Sequence, residues 1–284
     1  MSNLPGVLYV IATPIGNLQD ITDRAKAILR DVDLVLAEDT RHSKVLLDHL
    51  HISSPMQSYH DHNEKSAAVK YIDLLLSGQS IALISDAGTP MICDPGYRLV
   101  HAAHEKGIVV VPVPGCSALT TALSVAGLPT NRIIFEGFLP EKKMARIGAL
   151  EKLRYETGTM VFYESPHRIL STLADISQVF GADRLVCLCR ELTKKFETVR
   201  LAPCGVLLEQ LKSDKNQAKG EFVLVVNGAE NDSTDVLIQA DGILKILLAH
   251  SIPVKQASII TAEITGARKN DLYSRAVKMK SDSR

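Results

Sequence analysis

A continuous apolar run rich in β-favouring residues, Val7, Leu8, Tyr9, Val10, Ile11 and Ala12, leads into the turn-forming Thr13-Pro14-Ile15-Gly16-Asn17. A strand with no hydrophilic face is stable only when both sides are covered, as in a parallel sheet flanked by helices. The pattern then repeats. Asp20 is positioned to cap a helix with apolar positions Ile21, Ala25, Ile28 and Leu29, and residues 33–37 supply a second strand. A helical pattern over 66–76 precedes a strand at 81–84; a helix over 97–104 precedes a strand at 108–113; residues 117–126 are helical again. Such alternation predicts an α/β fold with a mostly parallel sheet and ligand sites at the carboxyl ends of its strands.

Gly127-Leu128-Pro129-Thr130-Asn131 interrupts this rhythm, and short strands restart at 133–135, 160–163 and 185–189, with a closing strand at 222–226. The polar stretch 227–233 reads as a linker to a helical end. There, one apolar stripe (Val236, Leu237, Ala240, Leu244, Leu247, Leu248) is followed by a second (Val254, Ala257, Ile260, Ile264) ending at Gly266. A third helix capped by Asn270 carries Leu272, Ala276 and Val277. Domains are expected at 1–127, 128–230 and 233–284. A length of 284 residues suits this division, and 46% hydrophobic residues with 32 Lys plus Arg against 32 Asp plus Glu exclude a disordered or polyanion-coating chain. No run approaches the roughly 20 apolar residues that span a bilayer, and the N-terminus lacks a basic region leading into an apolar one. Five scattered cysteines, an odd number, read as reduced thiols. A cytoplasmic protein without membrane association is expected.

Ser85-Asp86-Ala87-Gly88-Thr89-Pro90 directly follows a buried strand and leads to Asp94-Pro95-Gly96. Small, turn-forming residues let a ligand approach the main chain, although a plain connecting loop uses the same residues. Residues 112–118 form a second loop that opens a helix, whose first N–H groups are free to hold an anion. No G-x-G-x-x-G follows a strand and no phosphate-binding loop with G-K-[ST] is present, which disfavours nicotinamide dehydrogenases and P-loop ATPases. Charged clusters end three strands: Glu38-Asp39-Thr40-Arg41-His42, Glu164-Ser165-Pro166-His167-Arg168 and Arg190-Glu191-Leu192-Thr193-Lys194-Lys195. Each serves a site or merely caps a helix. Cys187 and Cys189, alternate on a strand, read as core rather than zinc ligands. His60-x-His62 lacks further ligands, so no metal is expected. Two basic patches, Lys142, Lys143 and Arg146 and the tail from Arg268 and Lys269 through Arg275, Lys278, Lys280 and Arg284, favour a phosphate-bearing partner over a merely solvated surface. Residues 254–264 and 270–280 have the order of a helix-turn-helix and equally that of ordinary helix packing.

Taken together, AEDTR (37–41), SDAGTP (85–90), DPGY (94–97), PG-x-SA (114–118), GLP (127–129), FEGFLP (135–140) and FYESPHR (162–168) resemble the small-subunit ribosomal RNA methyltransferase I family. This resemblance implies a tetrapyrrole-methylase-like fold, with two α/β domains around S-adenosylmethionine, usually homodimeric, and a small helical domain at the end. It implies methyl transfer to the ribose 2′-hydroxyl of a cytidine in the decoding region of 16S rRNA, free or in the small ribosomal subunit. By motif, the cofactor is expected at Pro14, Asp86, Gly88, Thr89, Ile92, Ser117, Ala118 and Phe162 or Tyr163. A weak hydroxyl nucleophile needs a proton acceptor. Glu38 or Asp39 is expected in that role with Glu164 in reserve, and Arg41, Arg168, Lys142, Lys143, Arg268 and Lys269 are expected on the RNA. The alternatives are the same fold acting on a tetrapyrrole precursor, and a non-enzymatic RNA-binding protein.

Overall fold

The computed structural model describes residues 5–60, 63–229 and 233–282. His62, the linker residues Glu230, Asn231 and Asp232, and Arg284 lie outside them, as do the side chains of Val236 and Leu237. Two compact units are present: 1–150 with 159–227, and 151–158 with 228–284.

In the larger unit, β1 (Val7–Ile11), α1 (Asp23–Asp31), β2 (Leu34–Ala37), α2 (Thr40–His49), β3 (Met56–Ser58), α3 (Glu64–Leu76), β4 (Ile81–Ile84), α4 (Tyr97–Glu105) and β5 (Val109–Val113) build a sheet of order β3-β2-β4-β1-β5. Every pairing in it is parallel. The unbroken apolar strands are explained by cover on both faces. Val35 and Ala37 pack with Leu29 of α1 and Leu46 and Leu47 of α2, while their neighbours Leu34 and Leu36 pack with Tyr71 and Leu75 of α3 and Leu99 of α4. Residues 18–20 form a 3₁₀ turn and Thr22, not Asp20, caps α1 by accepting the Ala25 N–H at 3.1 Å, because the chain turns once before the helix can start. The short strand β3 has no apolar run to be read from the sequence, and α2, which buries Leu46 and Leu47, was signalled there only by its cap at 38–42.

α5 (Ala118–Val125) leads into β6 (Ile133–Phe138), α6 (Lys143–Lys152), β7 (Thr159–Glu164), α7 (Ile169–Phe180), β8 (Leu185–Arg190), β9 (Thr198–Pro203), α8 (Cys204–Ser213) and β10 (Phe222–Val226). The second sheet has the order β6-β7-β10-β8-β9; β6 and β7 are parallel and the rest antiparallel. One face, with Val161, Cys187, Cys189, Val223 and Val225, packs on Ala122 and Ala126 at α5. Cys187 and Cys189 are core residues, their sulfurs 3.8 Å apart.

The smaller unit contains α9 (Ser233–Ala249), α10 (Val254–Thr265) and α11 (Lys269–Asp282) around Ala240, Leu244, Ala257, Leu272 and Ala276. Gly266 ends α10 in the left-handed conformation, as the sequence implied. Three expectations fail here. Ile264 is 61% exposed and Val277 is exposed, the buried stripe of α10 being Ala257, Ser258 and Thr261; α11 begins before Asn270; and Arg275 leaves the basic patch for a bidentate pair with Asp241, 2.7 Å on each side. Among the described residues no helix is long and apolar enough to cross a membrane.

Candidate functional site

A cleft of about 420 Å³ opens in the larger unit, within the usual size range of small-molecule sites. Its walls come from the loop after β4 (Ala87, Gly88, Thr89, Ile92, Cys93, Asp94), from Ile15 after β1, from Ser117 and Ala118 at the start of α5, and from Phe138, Tyr163, Glu164 and Val223 of the second sheet. The carboxyl ends of parallel strands thus form one side of the cleft.

The loop after β4 is held by its backbone. Thr13 and Gly88 exchange N–H···O bonds of 2.8 and 3.0 Å, and the Thr13 hydroxyl donates to the Ser85 carbonyl at 3.1 Å. Gly88 has φ +82°, and a Cβ there would stand 3.3 Å from Ile15 Cγ2, so glycine keeps the wall low. Thr89 Oγ1 donates to the Cys116 carbonyl at 2.9 Å, joining this loop to the one that opens α5. The Tyr163 hydroxyl accepts the Leu119 N–H at 3.1 Å, and burial pushes its pKa up to about 12.

Of the residues expected at a cofactor, Gly88, Thr89, Ile92, Ser117, Ala118 and Tyr163 line the cleft. Pro14 and Phe162 are buried and do not line it. Asp86 accepts the Asp39 N–H at 3.0 Å, fastening the end of β2 to this loop. Ile15, Cys93, Asp94, Phe138 and Val223 are further wall residues; the turn at 13–17, DPGY and FEGFLP contain Ile15, Asp94 and Phe138, whereas no motif contained Cys93 or Val223.

The three expected carboxylates differ. Asp39 caps α2, accepting the Arg41 N–H at 2.8 Å, and its two oxygens receive Arg41 Nε at 3.1 Å and Nη2 at 2.7 Å. These hydrogen bonds hold its pKa well below the usual carboxylate range. Glu164 is buried and takes the Arg168 guanidinium, the Thr172 hydroxyl at 2.6 Å and the Ser165 N–H at 2.7 Å. Glu38 is half-buried at the end of β2. Among the expected cations, Lys142 and Lys143 are exposed at the start of α6, and Arg268 and Lys269 are exposed at the start of α11. Arg41 is 91% exposed yet bound to Asp39. Arg168 donates to the Leu139 carbonyl at 2.6 Å besides Glu164. Arg146 is 3% exposed, paired with Asp175 at 2.7 Å and donating to the Glu141 carbonyl at 3.0 Å; it is part of the core, not of a basic surface, because its helix turns that face inward. The RELTKK cluster folds on itself, with Lys194 Nζ between Glu191 (3.1 Å) and Glu221 (2.9 Å). No group of three His, Cys, Asp or Glu among the described residues is placed to hold a metal ion.

A parallel sheet and a mixed sheet sharing one glycine-lined cleft define the methylase class of α/β proteins, and the comparisons agree. The family model for Tetrapyrrole (Corrin/Porphyrin) Methylases matches residues 7–208, and one described as the RsmI C-terminal HTH domain matches 235–280. Among solved structures, a uroporphyrin-III-C-methyltransferase from Thermus thermophilus superposes with a TM-score of 0.55 at 20% identity, covering 78% of this chain and 94% of that one. A diphthine synthase gives 0.58 at 14%, covering 78% and 90%. Proteins named ribosomal RNA small subunit methyltransferase I are far more similar: that of Pasteurella multocida (strain Pm70) is 51% identical over 96% of this chain and 97% of its own length. That of Pseudomonas aeruginosa is 49% identical over 98% and 99%. The chain belongs to the ribosomal RNA small subunit methyltransferase I family, whose members are methyltransferases built on the tetrapyrrole methylase fold.

Proposed function

We propose that this methyltransferase transfers a methyl group from S-adenosylmethionine to the ribose 2′-hydroxyl of a cytidine in the decoding region of 16S rRNA, acting in the cytoplasm as a homodimer. The observation that carries this reading is the cleft itself. Its apolar walls (Ile15, Ile92, Val223) and its uncovered main chain around Gly88 suit a flat, partly polar cofactor, and the first N–H groups of α5 suit a carboxylate. When bound, S-adenosylmethionine supplies an electrophilic methyl group on a sulfonium. The 1–127 and 128–230 parts of the chain hold it from two sides, and 233–284 adds cations for RNA.

Within the protein, the wall residues exclude water and fix the angle of approach, which is worth several kcal/mol of barrier in transfer reactions. Asp39 holds Arg41, and Glu164, on the cleft wall, holds Arg168 and Thr172. Glu38 or Asp39, adjacent at the end of β2, takes the proton of the 2′-hydroxyl, with Glu164 in reserve. Lys142, Lys143, Arg268 and Lys269, and the exposed edge of Arg41, meet phosphates, whereas Arg168 positions the 139–141 turn.

The test is radiolabelled methyl transfer to small ribosomal subunits and to naked 16S rRNA lacking the modification, with the product mapped by nuclease digestion and mass spectrometry. Label on one ribose 2′-oxygen of a cytidine is the expected result. Stoichiometric cofactor binding without transfer to either substrate would point to a tetrapyrrole precursor. Glu38→Gln should lower kcat by roughly 10²- to 10⁴-fold at unchanged cofactor affinity; normal turnover removes Glu38 from the role.

A further inference from the structure

Phe138 is 57% exposed, yet it is a wall residue of the cleft. The backbone is bent to put it there. β6 pairs with β7 in register Phe135 to Val161, then Gly137 to Phe162 and Phe138 to Tyr163, so Glu136 is an inserted residue, a β-bulge. Without the insertion Phe135 and Phe138, three apart, would face opposite sides of the sheet. With it, both rings lie edge-on to the same Tyr163 ring, at centroid distances of 5.0 and 5.7 Å. Gly137 makes the bend at φ +64°, and a Cβ there would stand 2.7 Å from Cys93 Sγ.

The segment that follows is pinned by two arginines, the buried Arg146 and the partly buried Arg168. Arg168, paired with Glu164, donates to the Leu139 carbonyl at 2.6 Å; Arg146, paired with Asp175, donates to the Glu141 carbonyl at 3.0 Å. Tyr163 is itself fixed by the Leu119 N–H. Phe138 is therefore a rigid ring with one edge anchored and the rest open at the cleft, followed within five residues by the exposed Lys142 and Lys143. A fixed, solvent-exposed aromatic next to cations is the arrangement on which an unpaired nucleobase stacks while its phosphates are neutralised.

We infer that Phe138 is the stacking platform for the base of the nucleotide that is methylated, holding that base at the cleft mouth so that its ribose enters. This inference rests on the RNA substrate proposed above. Presenting one ribose hydroxyl to a cleft requires the nucleotide to leave its neighbours, and a stacking surface offsets the stacking so lost.

The chain contains no tryptophan, so Phe138→Trp installs a single fluorescent reporter in the full-length protein. With S-adenosylmethionine saturating, its emission should be quenched saturably by 16S rRNA. In steady-state methylation of small subunits at saturating cofactor, Phe138→Leu, which keeps apolar volume without a ring, should raise KM for the subunit by about tenfold or more, by more than it lowers kcat. Phe138→Trp should restore KM. No quenching by RNA, or an unchanged KM for the subunit in Phe138→Leu while the wild type methylates RNA, would each overturn the assignment. A wild type that methylates no RNA would instead refute the parent reading, and the platform with it.

Discussion

The hydroxyl of Tyr163, on the second sheet, accepts the backbone N–H of Leu119 in the first turn of α5 across 3.1 Å. That one bond ties the wall contributed by the mixed sheet to the helix end opened by the parallel sheet. It also satisfies one of the N–H groups that a helix start leaves without an internal partner. Tyr163→Phe should cost about 1–3 kcal/mol in urea unfolding, since the partner is left without an acceptor, and should weaken cofactor binding measured by calorimetry. Burial raises the hydroxyl from 10.0 to about 12. A raised pKa favours the folded state's neutral form, so any stability linked to it is present below pH 10 and is lost between 10 and 12. Tyrosinate absorbance should show one late-titrating residue fewer in Tyr163→Phe than in the wild type, the remaining late ones being Tyr59 and Tyr71, which burial also raises.

Glu64 on α3 accepts the N–H groups of Gly96 (3.1 Å) and Arg98 (3.0 Å) where α4 begins, directly after the cleft residues Ile92, Cys93 and Asp94. Glu64→Ala should destabilise the protein by about 1–3 kcal/mol and increase hydrogen exchange in residues 91–98. Glu64→Gln, which keeps an acceptor, should recover most of both. Equal loss in the two variants would show that charge, rather than capping geometry, matters.

Arg146 and Asp175 are each almost completely buried and 2.7 Å apart. Removing one partner strands a charge, so Asp175→Asn should cost about 3–5 kcal/mol, whereas an apolar pair such as Arg146→Met with Asp175→Leu should recover much of it. Chemical denaturation of the single and double variants tests this. The double variant should still lose order at 139–141, because no apolar side chain replaces the bonds to the Pro140 and Glu141 carbonyls.

Hydrogen bonds from Arg41 keep the Asp39 pKa well below its ordinary 3.8. The linked stability is present above the unfolded value and is lost as pH falls below it. Arg41→Ala should therefore return the Asp39 carboxyl toward 3.8 in an NMR titration and bring acid unfolding to slightly higher pH. The effect on unfolding should be small, since the pair is open to solvent and salt.

Lys142→Ala and Lys143→Ala should each weaken RNA binding and reduce the slope of log affinity against log salt by up to about one. Cofactor affinity should not change. Arg146→Met should leave that slope untouched, which separates the exposed cations from the buried one.

The parallel sheet was legible in the sequence because a strand covered on both faces must be apolar at every position. Val7 to Ile11, Leu34 to Ala37 and Ile81 to Ile84 announce this without help from the rest of the chain. The loop after β4 was legible as a loop of small residues, but a plain connection uses the same residues, and only the fold brings Thr13 and Cys116 to it to form a cleft wall. Which charges face a ligand was not legible. Arg146 and Lys143 look alike in a basic run, but the helix period turns one toward Asp175 and the other toward solvent. Arg275 and Lys269 part in the same way around Asp241. Asp39 and Glu164 carry the right chemistry, but only the fold shows that Arg41 pairs with the first and that Arg168 and Thr172 pair with the second. Phe138 was hidden for a further reason: one inserted residue at Glu136 reverses the side of the sheet on which it emerges. Composition and periodicity are local and fix the kind of element each segment forms. The pairing of charges and the register of a strand are settled only when distant segments meet, because their energies depend on which groups lie within a few ångströms in three dimensions.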